Sequence, residues 1–183
     1  MYFDGSDLEG ARGFTVFAVE QRDADETAGG FLGFASPTTA TKPQFCLGYA
    51  YEWHISYCYA PWLPSSPQAF GATWFNANFS GHKTFKSPGI STLSFSDING
   101  IKFWRNGGGK SPERASSSYT GVTSRVSSSI AVIGSLVTEQ NLNLGYTYKG
   151  KIAEIIIFLR DLSTEERQSV ESYLSQKYNI KIE

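Results

Sequence analysis

Apolar residues in this chain fall in short dense runs separated by Gly, Pro, Asn and Ser, and most of those runs have the length and make-up of strands. Phe14-Thr15-Val16-Phe17-Ala18-Val19 follows a break at Gly13 and ends on a charged turn, Gln21 to Glu26, so a central, buried strand is predicted there. Phe31 to Phe34 and Phe45 to Tyr51 predict two more, divided by Pro37, Pro43 and a Thr-rich bend. Pro61, Pro64 and Pro67, with Ser65 and Ser66, predict an irregular loop over Tyr57 to Gly71, because proline cannot donate to a central ladder. Strands resume at Ala72 to Phe79, Ser91 to Ser96 and Ile98 to Arg105. Asn106-Gly107-Gly108-Gly109 then makes positive φ available for a hairpin turn. The eight serines of Ser111 to Ser129 compete between linker and sheet surface, and Tyr119, Val122, Val126 and the run Ile130 to Ile133 favour strands.

The period changes once, near the end. Lys151 to Leu159 carries Ile152, Ile155, Ile156, Ile157, Phe158 and Leu159, a strand buried on at least one face and interrupted by one acid, Glu154. Ser163 followed by Glu166 is a capping box, and Glu165 with Glu166 suits the positive end of a helix. Val170, Tyr173, Leu174 and Lys177 then fall at helical spacing, with Glu165, Gln168 and Glu171 expected to face water. Asn179 is the expected stop, and Ile180 with Ile182 could add a last short strand. Many short strands and one closing helix, without internal repeats, predict an all-β fold, a two-sheet antiparallel jelly-roll sandwich with one C-terminal helix.

A chain of 183 residues, 40% hydrophobic, is long enough for a substantial core, and residues 1–183 are read as a single domain. The formal net charge of -1 offers no basic footprint, which argues against nucleic acid as a partner. No stretch has the length of a membrane span, so membrane insertion is not expected, and the opening MYFDGSDLEG has neither the basic start nor the apolar run of a signal peptide. Cys46 and Cys58 could pair across a hairpin or remain two buried thiols; the length of the domain favours thiols, and zinc would need further ligands.

The strand and turn IKFWRNGG, the strand AVIGS and the ending YKGKIAEIIIFLRDLSTEERQSVESYLSQKYNI together resemble a laminin-G-like domain of the concanavalin A-like lectin/glucanase superfamily. The opening YFDGSD and the strand GFTVFAV are similar to that family's start. The resemblance implies two antiparallel sheets with the terminal helix packed at the side. It also implies glycan or protein binding in secreted, cell-surface or virion proteins, without settling the ligand.

The superfamily includes glycoside hydrolases, whose retaining members need two carboxyl groups about 5 Å apart. On the strand of Glu154 the positions that share its face are Ile156 and Phe158, so a catalytic pair is not expected and Glu154 reads as a structural acceptor. Asp23, Asp25 and Glu26 could supply calcium oxygens, although such clusters are more often solvated loops. His54 and His82 stand alone and read as ordinary histidines. The aromatics are the remaining clue. Tyr49, Tyr51, Trp53, Tyr57, Tyr59, Trp62 and Trp74 crowd one stretch, and Tyr and Trp join an apolar face to a polar tip, as sugars require. Trp62, between prolines on the expected loop, is the first contact residue, followed by Tyr59, Trp53 and Tyr57. Trp104 alternates with Lys102 and Asn106 and is expected on a surface-facing sheet position. These readings combine into a noncatalytic module recognising a glycan or a protein surface in an extracellular or virion setting. The alternative is a structural or decoration protein that assembles with copies of itself or within a larger assembly.

Overall fold

The computed structural model describes residues 1–8, 11–23, 29–35, 45–50, 54–59, 73–78, 87–107, 114–116, 130–137, 144–145 and 147–182. In chain order its strands are β1 (Tyr2–Asp4), β2 (Gly13–Arg22), β3 (Gly29–Ala35), β4 (Phe45–Ala50), β5 (His54–Tyr59), β6 (Thr73–Asn78) and β7 (Gly89–Ser96). They continue as β8 (Gly100–Arg105), β9 (Arg114–Ser116), β10 (Ile130–Ile133), β11 (Leu136–Val137), β12 (Leu144–Gly145) and β13 (Gly150–Phe158), and the helix α1 spans Thr164–Tyr178. The named pairings are antiparallel. The chain divides into two compact units, each assembled from three separate segments.

One unit holds a five-stranded sheet in the order β13-β2-β7-β8-β9, together with α1. β2 lies inside it, and its residues from Gly13 to Glu20 are buried, as the unbroken apolar run predicted. Register sorts this sheet into two faces. Phe14, Val16 and Ala18 of β2 stand in rows with Phe95, Leu93 and Ser91 of β7 and with Ile101, Phe103 and Arg105 of β8. The Phe14 and Phe95 rings lie 5.2 Å apart at a tilt, and this face is buried throughout. At its end Arg105 pairs with Glu20, and its Nη1 also donates to Ser91 Oγ over 2.7 Å, so the two buried charges neutralise one another. A Cβ at Gly89 would meet the Arg105 guanidinium, so a larger residue there would displace that group.

The opposite face carries Phe17, Val19, Ile90, Thr92, Trp104, Ile156 and Phe158, and α1 covers it with Leu174. The helix begins as its sequence demands. Ser163 Oγ accepts from the Glu166 N–H over 3.2 Å, and Glu166 accepts from the Ser163 N–H over 3.0 Å. Arg160 donates two bonds of 2.7 Å to the same carboxylate. The helix ends where Asn179 turns into the left-handed region, with φ 53° and ψ 44°. Ile180 and Ile182 form no strand. The Ile180 N–H donates to the Ser175 carbonyl and its carbonyl accepts from Ser175 Oγ over 2.7 Å, so its backbone groups are spent on the cap, and Ile180 is buried in the helix core.

The buried stripe of α1 differs from the expected one. Arg167, Glu171 and Leu174 face the sheet, while Tyr173 is half exposed. The reason is the sheet's own chemistry: Thr92 Oγ1 donates to Glu171 over 2.8 Å, Arg167 pairs with Glu171 at 2.5 Å and donates to the Gly107 carbonyl, and its guanidinium sits 4.3 Å above the Trp104 ring. Glu171 therefore does not face water. Burial pushes its carboxyl above the usual range, against the pull of Arg167.

The other unit holds a six-stranded sheet, β1-β10-β3-β4-β5-β6, and the β11-β12 pair. β5 corrects the loop expected from Tyr57, because Tyr57 to Tyr59 complete a strand that alternates polar and apolar residues and stops before Pro61. In β3 the register passes from Gly30 opposite Gly48 to Leu32 opposite Leu47, so Phe31 is the extra residue of a bulge. Its carbonyl accepts from the Gly134 N–H over 3.0 Å, and its buried ring meets Tyr148 edge-on at 5.8 Å. The hairpin expected after β8 forms: Asn106 and Gly107 have φ of 52° and 88°, and β9 returns alongside β8.

Two outcomes follow from α1. Arg167→Met strands a buried carboxylate and should cost about 3–5 kcal/mol, whereas Arg167→Met with Glu171→Leu should recover most of that loss; urea unfolding midpoints at constant slope distinguish them. The Arg160 guanidinium and the Ser163 N–H hold Glu166 down at about 2. That stabilisation is full above the ordinary glutamate range and is lost as pH falls toward the folded value. Thermal midpoints followed from pH ~6 to ~2 should fall less steeply in Glu166→Gln than in the parent chain.

Candidate functional site

Period-two alternation and the register of β4, β5 and β6 divide their residues into two chemically different sets. Tyr57 stands opposite Leu47 and Phe75, and Tyr59 opposite Phe45 and Thr73, with Ile55 opposite Tyr49 and Ala77. The Tyr57 row continues through Leu47 to Leu32 of β3, which is fully buried. The alternate rows are His54 with Ala50 and Asn78, Ser56 with Gly48 and Asn76, and Cys58 with Cys46 and Trp74. One face of this part of the sheet is thus aromatic and aliphatic. The other combines one indole, three side-chain amide or imidazole positions, one hydroxyl, and the small residues Gly48 and Ala50 on the adjoining strand.

Such a face has components that a polyhydroxylated ligand can use. An indole gives a flat apolar surface for C–H groups, and Asn and His donate and accept. The signal was present in the sequence as the alternation His-Ile-Ser-Tyr-Cys-Tyr and Thr-Trp-Phe-Asn-Ala-Asn. Reading the aromatics as one crowd hid it, because adjacent aromatics on a strand point to opposite faces.

The expected site residues are distributed as follows. Tyr57 and Tyr59 belong to β5 and share rows with Leu47, Phe75 and Phe45. Trp53 and Trp62 lie outside the described residues, as do Asp25 and Glu26 of the acidic turn; Asp23 is exposed at the end of β2. Among the described residues no group of three or more His, Cys, Asp or Glu could hold a metal ion. Trp104 is not surface-facing. It is 5% exposed and lies beneath Arg167, because α1 covers the side of β8 on which it alternates.

Glu154 has a packing task. The register of β13 shifts between Ile152 and Glu154, and the extra residue, Ala153, brings Glu154 into the row of Val19 on the helix-covered face. There Glu154 Oε2 accepts from Lys177 Nζ and from Tyr178 Oη, each over 3.0 Å. Its partners come from the helix, where sequence reasoning expected a backbone or a neighbouring strand. Hydrogen bonding to Tyr173 and then to Glu154 raises the Lys177 ammonium, and burial raises the Tyr178 phenol. This cluster ties helix to strand.

Comparison with known proteins agrees with this architecture. No family model matches the chain, and no curated protein matches it. Solved structures do. The NanB sialidase of Streptococcus pneumoniae, solved with Optactamide, aligns at a TM-score of 0.67 and 16% identity over 92% of this chain. The aligned chain spans about a quarter of NanB, 26% of its length. The carbohydrate-binding module CBM40 of the Ruminococcus gnavus IT-sialidase, bound to α2,3-sialyllactose, aligns at 0.66 and 12% identity over 93% of this chain and 92% of the module. The heptameric SAP-like pentraxin of Limulus polyphemus aligns at 0.64 and 14% identity, over 88% of this chain and 70% of its own. At these identities the likeness concerns the fold, and the fold is a jelly roll of antiparallel strands in two sheets with one C-terminal helix.

Proposed function

We propose that this chain is a noncatalytic glycan-binding module, a single jelly-roll domain that takes its ligand on the polar face of β4, β5 and β6. The observation that carries the proposal is the register that sets Trp74, Asn76 and Asn78 beside Cys58, Ser56 and His54. Trp74 is the stacking platform, and the amides, the imidazole and the hydroxyl fix the orientation of the sugar. Trp53 and Trp62, the aromatics that flank β5 in sequence, are proposed as further contact residues. Tyr57 and Tyr59 are assigned to the apolar face. The likeness to a module bound to α2,3-sialyllactose supports a sialylated glycan as the first ligand to test.

Absence of chemistry is part of the proposal. Glu154, the acid that the superfamily's hydrolases brought into question, is engaged by Lys177 and Tyr178. The strand and helix at the C-terminus favour a laminin-G-like assignment within the concanavalin A-like superfamily. An extracellular setting is proposed, as a module of a surface or virion protein.

Calorimetric titration of the full chain with α2,3-sialyllactose, beside a panel of neutral oligosaccharides, tests the reading. Trp74→Ala should weaken binding by about tenfold or more, the scale of losing one central aromatic contact, while Trp104→Phe should leave affinity unchanged. Equal affinity in Trp74→Ala and the parent chain would reject the site, and absence of binding across the panel would reject the function.

A further inference from the structure

The two cysteines of this chain occupy one register pair. Cys46 of β4 stands directly opposite Cys58 of β5, inside a hairpin whose six register pairs run from Phe45 with Tyr59 to Ala50 with His54. We infer that Cys46 and Cys58 form a reversible cross-strand disulfide, a redox site that links β4 to β5 within the six-stranded sheet.

The geometry of antiparallel pairing carries the inference. Residues directly opposite one another have Cα atoms about 4.5–5.5 Å apart, within the ~4.4–6.8 Å that a disulfide bridges without backbone movement. Opposed residues also belong to the same face of the sheet, as a cross-strand link requires. The length of the domain favours two free thiols, and the register of β4 and β5 is the observation that argues for pairing instead. On the outer flanks of the pair the same row holds Gly33 and Trp74.

The oxidant is a low-molecular-weight disulfide. A protein thiolate attacks one sulfur of the reagent, giving a mixed disulfide and one reagent thiol. The second protein thiolate then attacks the mixed disulfide and releases the second reagent thiol. Two protein S–H bonds are lost, one S–S bond forms, and the two electrons and two protons reside on the reagent. Cross-linking adjacent strands also restricts the unfolded chain, so the oxidised form should be the more stable. The inference does not depend on the glycan reading.

The test equilibrates the full chain in buffers of oxidised and reduced glutathione, then combines free-thiol counting, peptide mapping and thermal unfolding. The expected result is a monomer in which both thiols disappear together, a peptide linking Cys46 to Cys58, and an unfolding temperature raised by roughly 5 °C or more over the reduced chain. The temperature difference should vanish in Cys46→Ser/Cys58→Ser, and the thiols should return on reduction. Two free thiols persisting in the most oxidising buffer would overturn the inference. So would glutathione adducts or intermolecular dimers in place of the internal link.

Discussion

Cross-strand register is the constraint on which the rest of this structure depends. A strand places alternate residues on opposite faces, so a slip of one residue would exchange the two faces of that strand. In β5 and β6 such a slip would trade Tyr57 and Phe75 for Ser56 and Asn76. Among the described residues, bulges change that register in β3 and in β13. Phe31 is the extra residue in β3, held by the Gly134 N–H and by Tyr148, and Ala153 is the extra residue in β13. The second bulge matters chemically, since it delivers Glu154 to the face that Lys177 and Tyr178 can reach.

Charged groups in the five-stranded unit are buried in paired sets. Glu20, Arg105 and Ser91 form one on the face opposite the helix, and Thr92, Glu171 and Arg167 form another beneath it. Desolvating such ions is expensive, and an apolar replacement of matched volume is often as stable. What the helix-side set provides is direction: it requires the face of α1 that carries Arg167, Glu171 and Leu174 to meet Thr92 and Trp104. An apolar stripe alone would tolerate a rotated helix: of the expected stripe Leu174 and Val170 pack on the core, while Tyr173 lies half exposed and Arg167 and Glu171 are buried instead.

This explains which parts of the structure were legible in advance. The capping box at Ser163, the stop at Asn179, the buried run of β2 and the turn after Arg105 depend on neighbours in sequence, and local chemistry is enough to read them. Glu171 and Trp104 depend on partners far along the chain, Thr92 and Arg167, and differ from expectation: Glu171 does not face water and Trp104 is not at the surface. Ile180, expected in a strand, is held instead by the local cap at Ser175. The polar face of β5 and β6 lies between these cases. Its alternation was visible, but its meaning required knowing that Cys58, Ser56 and His54 stand opposite Trp74, Asn76 and Asn78.

The central claim is that the sheet face defined by those pairings is where the ligand sits. Backbone amide chemical shifts of the full chain, followed during titration with α2,3-sialyllactose, test it most directly. The largest shifts should cluster in β5 and β6 and centre on Trp74, Asn76 and Ser56. Shifts concentrated instead on α1, β8 and β9, with β5 and β6 unmoved, would contradict it.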